Sequence, residues 1–281
     1  MSFEQTIKQV SSQIEDVLDI LGQPIKPYLP ALSRFLVVVT FYEDAIRMIV
    51  QWTDQRQYLE YHRNFPPVIS HLFLLFNIIS MSTFSSTLIA KRHINLSVSV
   101  LISVIVFQAL GYGLMFDMVF FLRNLSIIGG LLLCLSESLL RSKKQSNQKS
   151  LFASLPTMAS DTGRHPYFQL AGRILLVLLF LGFVFQGEWN LLRALVSLIG
   201  FAACVMVAVG FRAKWSASLL VTFLCIMNVF VNNWWAIYQS DYNRDVVKYN
   251  FFQCLSIMGG LLLLISIGPG HLSYDEKKKE Y

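Results

Sequence analysis

Eight stretches of about 20 mainly apolar residues alternate with short polar segments along the chain, and each is long enough to cross a bilayer as an α-helix. They fall at 32–50, 66–90, 94–116, 119–140, 167–185, 190–211, 215–238 and 247–268. A segment of this length in lipid satisfies its backbone groups only as a helix, so the pattern predicts an all-α polytopic membrane protein rather than a barrel. Ahead of the first stretch, Phe3, Ile7, Val10, Ile14, Val17, Leu18 and Leu21 recur at helical spacing with acids and amides between them. This makes 1–31 an amphipathic cytosolic segment that lies on the membrane surface, binds a partner or packs on the bundle.

The polar segments alternate in charge. Lys91, Arg92, Arg141, Lys143, Lys144, Lys149, Arg164, Arg212, Lys214 and Lys277 to Lys279 lie on one side, whereas only Arg56, Arg63, Arg244 and Lys248 lie on the other, among Asp54, Glu60, Asp117, Glu188, Asp241 and Asp245. The excess of cations marks the first side as cytosolic, and an even number of spans then puts both termini there. The sequence also repeats: LSIIGGLLLCLS at 125–136 returns as LSIMGGLLLLIS at 255–266, with the Gly-Gly pair in register. Duplication of a four-helix unit follows, with halves at 32–140 and 167–268 of parallel topology, a cytosolic linker at 141–166 and a cytosolic tail at 269–281. The paired glycines Gly129, Gly130, Gly259 and Gly260 permit close helix approach.

Composition agrees: 54% of residues are apolar and 14% charged, against roughly a quarter charged in a soluble domain. The formal charge of +6 follows from the loop cations and implies no nucleic-acid partner. Cys134, Cys204, Cys225 and Cys254 all stand in apolar runs, which indicates neither a disulfide framework nor a metal site. Glu4, Lys8, Glu15 and Asp16 argue against a cleaved leader. No phosphate loop, nucleophile elbow or cofactor motif appears, so neither catalysis nor a cofactor is expected.

Charge inside the first apolar stretch is the main candidate chemistry. Glu43, Asp44 and Arg47 each cost roughly 2.5 kcal/mol or more near a bilayer centre unless compensated. Glu43 and Arg47 stand one turn apart and are expected to pair, leaving Asp44 for Arg123 at the start of the fourth stretch. His71, Asn77, Asn124, Asn228, Asn232, Asn250 and Gln253 fall in the same non-cytosolic halves, which predicts a polar cavity opening to the lumen. Two readings stay open, a binding site or polar glue between helices. Trp52, Trp234, Trp235 and Tyr238 fit an interfacial belt or the wall of an apolar peptide pocket. Near the cytosolic face, Arg34, Glu137 and Arg173 form a second set of structural character. At the end of the chain, Lys278 and Lys279 occupy the fourth and third positions from the C-terminus, the spacing of a receptor-read retrieval address, though a plain solvated basic tail has the same composition.

Several blocks resemble the Surfeit locus protein 4 family of ER export receptors: TFYEDAIRM from Thr40, FLRNLSIIGGLLL from Phe121, PTM from Pro156, QLAGRILLVL from Gln169, and KYNFFQ from Lys248 through the final DEKKKEY. The likeness is weakest over the first 25 residues. The four-helix repeat is similar to the DoxX-type unit. The resemblance implies a cargo receptor that binds soluble secretory proteins in the ER lumen through apolar, proline-containing N-terminal peptides. It further implies packaging into COPII vesicles and return through the ER-Golgi intermediate compartment and cis-Golgi by COPI, which would read Lys278 and Lys279. Combined with the intramembrane charges, it makes Glu43, Asp44, Arg47, Arg123, Asn232, Trp235, Asn250 and Gln253 the expected cargo-binding residues. The alternative from another class is a lipid or small-solute translocator, since duplicated bundles with charge at mid-depth often transport. A thiol or quinone oxidoreductase ranks below both, because paired lumenal cysteines are missing from the sequence.

Overall fold

Proline and glycine punctuate the helices. The computed structural model describes residues 27–153, 165–185, 191–211, 213–238, 242–268 and 273. Helix α1, Leu29–Val50, carries Pro30 in its first turn, where a missing N–H costs nothing. It is followed by α2, Trp52–Arg63, which closes on Asn64 in the left-handed conformation, and by α3, Pro67–Ile89, again opened by proline. Helix α4, Ile94–Tyr112, stops at Gly113, whose φ of 74° ends the ladder. A 3₁₀ turn at Leu114–Phe116 leads into α5, Met118–Ala153. The second part contains α6, His165–Phe185, α7, Leu191–Val209, α8, Ala213–Val231, a 3₁₀ turn at Trp234–Ala236, and α9, Tyr242–Ile267.

Helices therefore stand at all eight expected places, and there is no strand among the described residues. Among the described residues, five stretches are long and apolar enough to cross a membrane: Pro67–Ile89, Ile94–Tyr112, Phe120–Ser142, Ala213–Ala236 and Arg244–Ile267. At 22 residues α1 matches them in length, but Arg34, Glu43, Asp44 and Arg47 lower its apolarity. Two features depart from the hydrophobic pattern. Helix α2 falls in a polar segment where no element was expected, and it packs on α3 and α4 with Leu59 as its buried residue. Helix α5 runs past the membrane-length stretch to Ala153, through 141–153 of the expected linker. Residues 1–26, 154–164 and 274–281, which hold most of the amphipathic segment, the rest of the linker and the lysine tail, lie outside the described residues.

Helix α9 lies at the centre, packed on α1, α5 and α8, and α5 makes its most extensive contact with α6. Small residues set these distances. A Cβ added to Gly259 would lie 2.6 Å from the Val37 nitrogen, and one added to Gly129 would lie 2.8 Å from the Gly172 carbonyl oxygen. Between the two, Gly130 and Gly260 face each other so closely that a Cβ on Gly260 would be 3.1 Å from the Gly130 Cα. Ser126 Oγ donates to the Leu175 carbonyl of α6 at 3.0 Å, while Ser256, 130 positions later, bonds Thr40 Oγ1 of α1 at 2.7 Å. The contact of α5 with α6 thus has its counterpart in the contact of α9 with α1, with the glycine crossing between them.

One end of the bundle is closed by buried charge. Arg34 Nη1 donates to both Glu137 oxygens at 2.7 and 2.8 Å, and the exposed Arg141 reaches the same carboxylate at 2.8 Å. Lys91, in the turn after α3, is held below the ordinary lysine range by the Arg34 guanidinium and, secondarily, by partial burial. Arg173 of α6 does not join this set. It lies against the turn at Gly210 and beside Ser273, and Gln169 ties α6 to the end of α9 by donating to the Gly268 carbonyl at 2.5 Å.

Candidate functional site

The opposite end of the bundle, where α1 ends and α9 begins, gathers the other intramembrane charges. Gln51 Nε2 donates to Asp245 at 2.5 Å and holds the two helix ends together. Because α1 and α9 run antiparallel, each turn down α1 meets a turn up α9, so Glu43 faces the start of α9 and Thr40 faces Ser256. Four helices supply the cluster: α1 with Glu43, Asp44 and Arg47, α4 with Gln108, α5 with Arg123, and α9 with Lys248, Tyr249, Asn250 and Gln253.

Pairing differs from the expectation. Arg47 binds Asp44, three residues before it, rather than Glu43. Gln108 Nε2 donates to the other Asp44 oxygen at 2.8 Å, so that acid is doubly held. Glu43 instead faces Lys248, whose Nζ stands 3.5 Å from Oε1. Arg123 is not the counter-charge of Asp44; it donates to Asn250. The reason is tertiary: α9 brings a lysine to Glu43, which frees Arg47 to turn toward Asp44 and lie 5.3 Å above the Tyr249 ring. The Tyr249 hydroxyl in turn accepts from Gln253 Nε2 at 2.7 Å.

Polar satisfaction is incomplete at this end. Glu43 is 4% exposed, yet neither carboxylate oxygen accepts a hydrogen bond among the described residues, the Lys248 contact being too long for one. Gln253 Oε1, Arg47 Nε and the Tyr112 hydroxyl are buried without partners as well. A protein rarely buries so many unmatched groups together, because each costs roughly 1–3 kcal/mol. Chemically, the cluster offers a buried carboxylate and an amide oxygen as free acceptors, with a displaceable ammonium beside them.

Aromatic side chains flank Lys248. Its Nζ lies 5.9 Å from the Trp234 ring centroid, and the Arg244 guanidinium carbon lies 5.4 Å from the same centroid. Trp235 is 53% exposed and meets Phe251 edge-on at 5.7 Å. Asn232 donates to Asn228 at 2.7 Å, and Asn228 donates to the Phe251 carbonyl at 3.2 Å. Of the eight expected residues, Glu43, Asp44, Arg47, Arg123, Asn250 and Gln253 therefore line the facing sides of α1, α5 and α9. Asn232, just past α8, bonds Asn228, and Trp235, in the 3₁₀ turn, meets Trp234 and Phe251, so both border the cluster by way of neighbours. Lys248, Tyr249, Gln108 and Tyr112 were missed. A lone Gln in the apolar α4, and Tyr249 and Gln253 spaced one turn apart, were the signals available. Among the described residues no group of three or more histidines, cysteines or acids is placed to hold a metal, and Lys278 and Lys279 lie outside them.

Comparison with known proteins adds the decisive observation. The profile of the SURF4 family matches residues 8–281. The chain belongs to this family. Its reach to residue 8 includes most of the N-terminal segment over which the likeness by motif was weakest. Among curated proteins, the chain is 38% identical to the Surfeit locus protein 4 homolog of Schizosaccharomyces pombe, over 99% of this chain and 91% of that one. It is 37% identical to the ER-derived vesicles protein ERV29 of Saccharomyces cerevisiae, over 99% and 86% of the respective chains. With the Surfeit locus protein 4 homolog of Drosophila melanogaster the identity is 35%, over 96% and 97%. No solved structure matches.

Proposed function

We propose that this SURF4-family chain is a cargo receptor of the endoplasmic reticulum membrane that captures soluble secretory proteins by their N-terminal peptides. The name of the yeast relative, an ER-derived vesicles protein, supports the compartment and a role in vesicle traffic rather than catalysis. Eight spans in two duplicated halves, 32–140 and 167–268, with both termini cytosolic, fit the alternation of loop charge and the matched contacts of Gly129 and Gly259. In that orientation the Glu43 end opens to the lumen and the Lys278-Lys279 tail meets coat proteins in the cytosol. COPII then carries the loaded receptor forward, and COPI returns it through the lysines.

One observation carries the binding site: among the described residues the buried Glu43 carboxylate accepts no hydrogen bond. A cargo exposed by leader cleavage presents a new N-terminal ammonium, three N–H donors on a small cation, followed by apolar side chains. Glu43 and the Gln253 oxygen complement the donors, and Trp234 and Tyr249 offer ring faces to the cation and to the side chains. Lys248 stands in for the cargo ammonium while the site is empty. When cargo arrives, its ammonium takes the short contact with Glu43, and Lys248 gives up that contact while keeping the Trp234 face it already borders. The test replaces Glu43→Gln and Asp44→Asn in cells and follows secretion of a dependent cargo, with the variant's own ER-to-Golgi cycling as control. Lost secretion with normal cycling supports the site; unchanged secretion removes the acids from it.

A further inference from the structure

Beyond the charged cluster, an apolar groove of about 470 Å³ lies between α3 and α4, lined by Phe65, Ile69, Leu72, Phe76, Phe107 and Leu110. Its floor is the buried ring of Phe73 beside Gly111, where any Cβ would collide with that ring. Phe107 packs on Phe73 at 4.8 Å and on Phe76 at 5.6 Å between centroids, so the walls are set by aromatic contacts. Both flanking helices are apolar enough to span a membrane. Ile69, Leu72 and Phe76 are 49%, 60% and 54% exposed on the outward surface that a bilayer would cover. From the start of α3 to Phe76 the groove reaches roughly 14 Å at 1.5 Å per residue, close to the depth of one leaflet.

A cation is built into its mouth. Arg63, the last residue of α2, donates from Nε to the Gly111 carbonyl at 3.0 Å and from Nη2 to the Leu110 carbonyl at 3.1 Å. These contacts use two of the five N–H groups of an exposed guanidinium. Among the described residues the other three N–H groups have no partner, the guanidinium lies beside Gly113 at the end of α4, and a guanidinium with free donors at the head of an acyl-chain slot suits phosphate. We propose that the groove binds one glycerophospholipid, an acyl chain lying along Ile69, Leu72 and Phe76 and the phosphodiester seated on Arg63. A cargo N-terminus fits poorly, since its ammonium would meet a cation and no side-chain acceptor lines the slot.

The full-length chain in phosphatidylcholine nanodiscs tests this with two photoactivatable probes carrying a diazirine on the acyl chain, a phosphatidylcholine and a diacylglycerol without phosphate. The phosphatidylcholine probe labels 65–76 and 107–111 roughly fivefold more than the lipid-facing Phe201 and Val205 of α7, and more than the diacylglycerol does. Arg63→Gln makes the two probes label the groove equally, while Ile69→Trp, at an exposed position that leaves the core intact, abolishes labelling by both. Uniform labelling of the whole apolar surface, insensitive to Ile69→Trp, overturns the groove. A probe ratio unchanged by Arg63→Gln overturns the phosphate seat. Loss of labelling under excess apolar-proline peptide with a free amino end assigns the groove to cargo and also overturns the proposal.

Discussion

At the scale of single residues, the buried glutamates Glu137 and Glu43 behave as opposites. Glu137 is saturated by Arg34 and Arg141, whereas Glu43, among the described residues, has Lys248 at 3.5 Å and accepts no hydrogen bond. A saturated buried pair is structural, and breaking it leaves a lone charge in the interior. Glu137→Leu strands the 2%-exposed Arg34 and should lower stability by about 3–5 kcal/mol, read as thermal unfolding in detergent. Adding Arg34→Met should restore most of that loss, since an apolar pair of similar volume needs no compensation. Lys248→Met should have the reverse character: with the stand-in cation removed, a free-amino cargo peptide binds roughly tenfold tighter, measured by titration of the purified receptor. Weaker binding would show that Lys248 contacts cargo directly. The charges of 40–48 were legible in the sequence; their partners were not. Intrahelical spacing permits Arg47 to pair with either acid, and only the arrival of α9, which brings Lys248 to Glu43, decides between them.

At the scale of helices, the glycine crossings set the limits. Gly259→Leu pushes a side chain into the α1 backbone at Ser33 and Val37, and Gly129→Leu does the same at Gly172 and Leu176 of α6. Each should cost at least 1–3 kcal/mol, about what overpacking costs in a close-packed core, and both should appear as reduced thermal stability and expression. Similar losses from the two substitutions fit the matched contacts; a tolerant position at either would break the correspondence. Apolar length made eight helices readable, and the 130-residue repeat marked where two of them cross. Helix α2 was hidden because hydrophobic runs reveal only elements surrounded by lipid, and this one shows a polar surface with Leu59 turned inward. The extension of α5 to Ala153 was hidden for a related reason: Lys and Gln sustain a helix in water as well as Leu does in lipid.

On the scale of the whole molecule, the proposed site joins the two proposed halves: α1, α4 and α5 bring Glu43, Asp44, Arg47, Gln108 and Arg123, and α9 brings Lys248, Tyr249, Asn250 and Gln253. If 139 residues separate the first helices of the two halves, as Arg34 and Arg173 do, the counterparts of Glu43, Asp44 and Arg47 are Gly182, Phe183 and Gln186. On that alignment the α1 charges have no charged counterpart in the second proposed half, which contributes to the site through α9 instead. On the proposed reading, retrieval is separable from capture. Lys278→Ser with Lys279→Ser should leave peptide binding intact and move the steady-state pool from the ER to later compartments, seen by fractionation; unchanged distribution would deny the tail its proposed role. The most direct measurement of the central claim is photo-crosslinking of an apolar-proline cargo peptide to the full-length receptor, with the free-amino and N-acetylated forms compared. The account predicts that the free-amino peptide crosslinks to α1 and α9 around Glu43, Lys248 and Tyr249, and that acetylation abolishes the signal. Crosslinks mapped elsewhere, or labelling indifferent to acetylation, would contradict it.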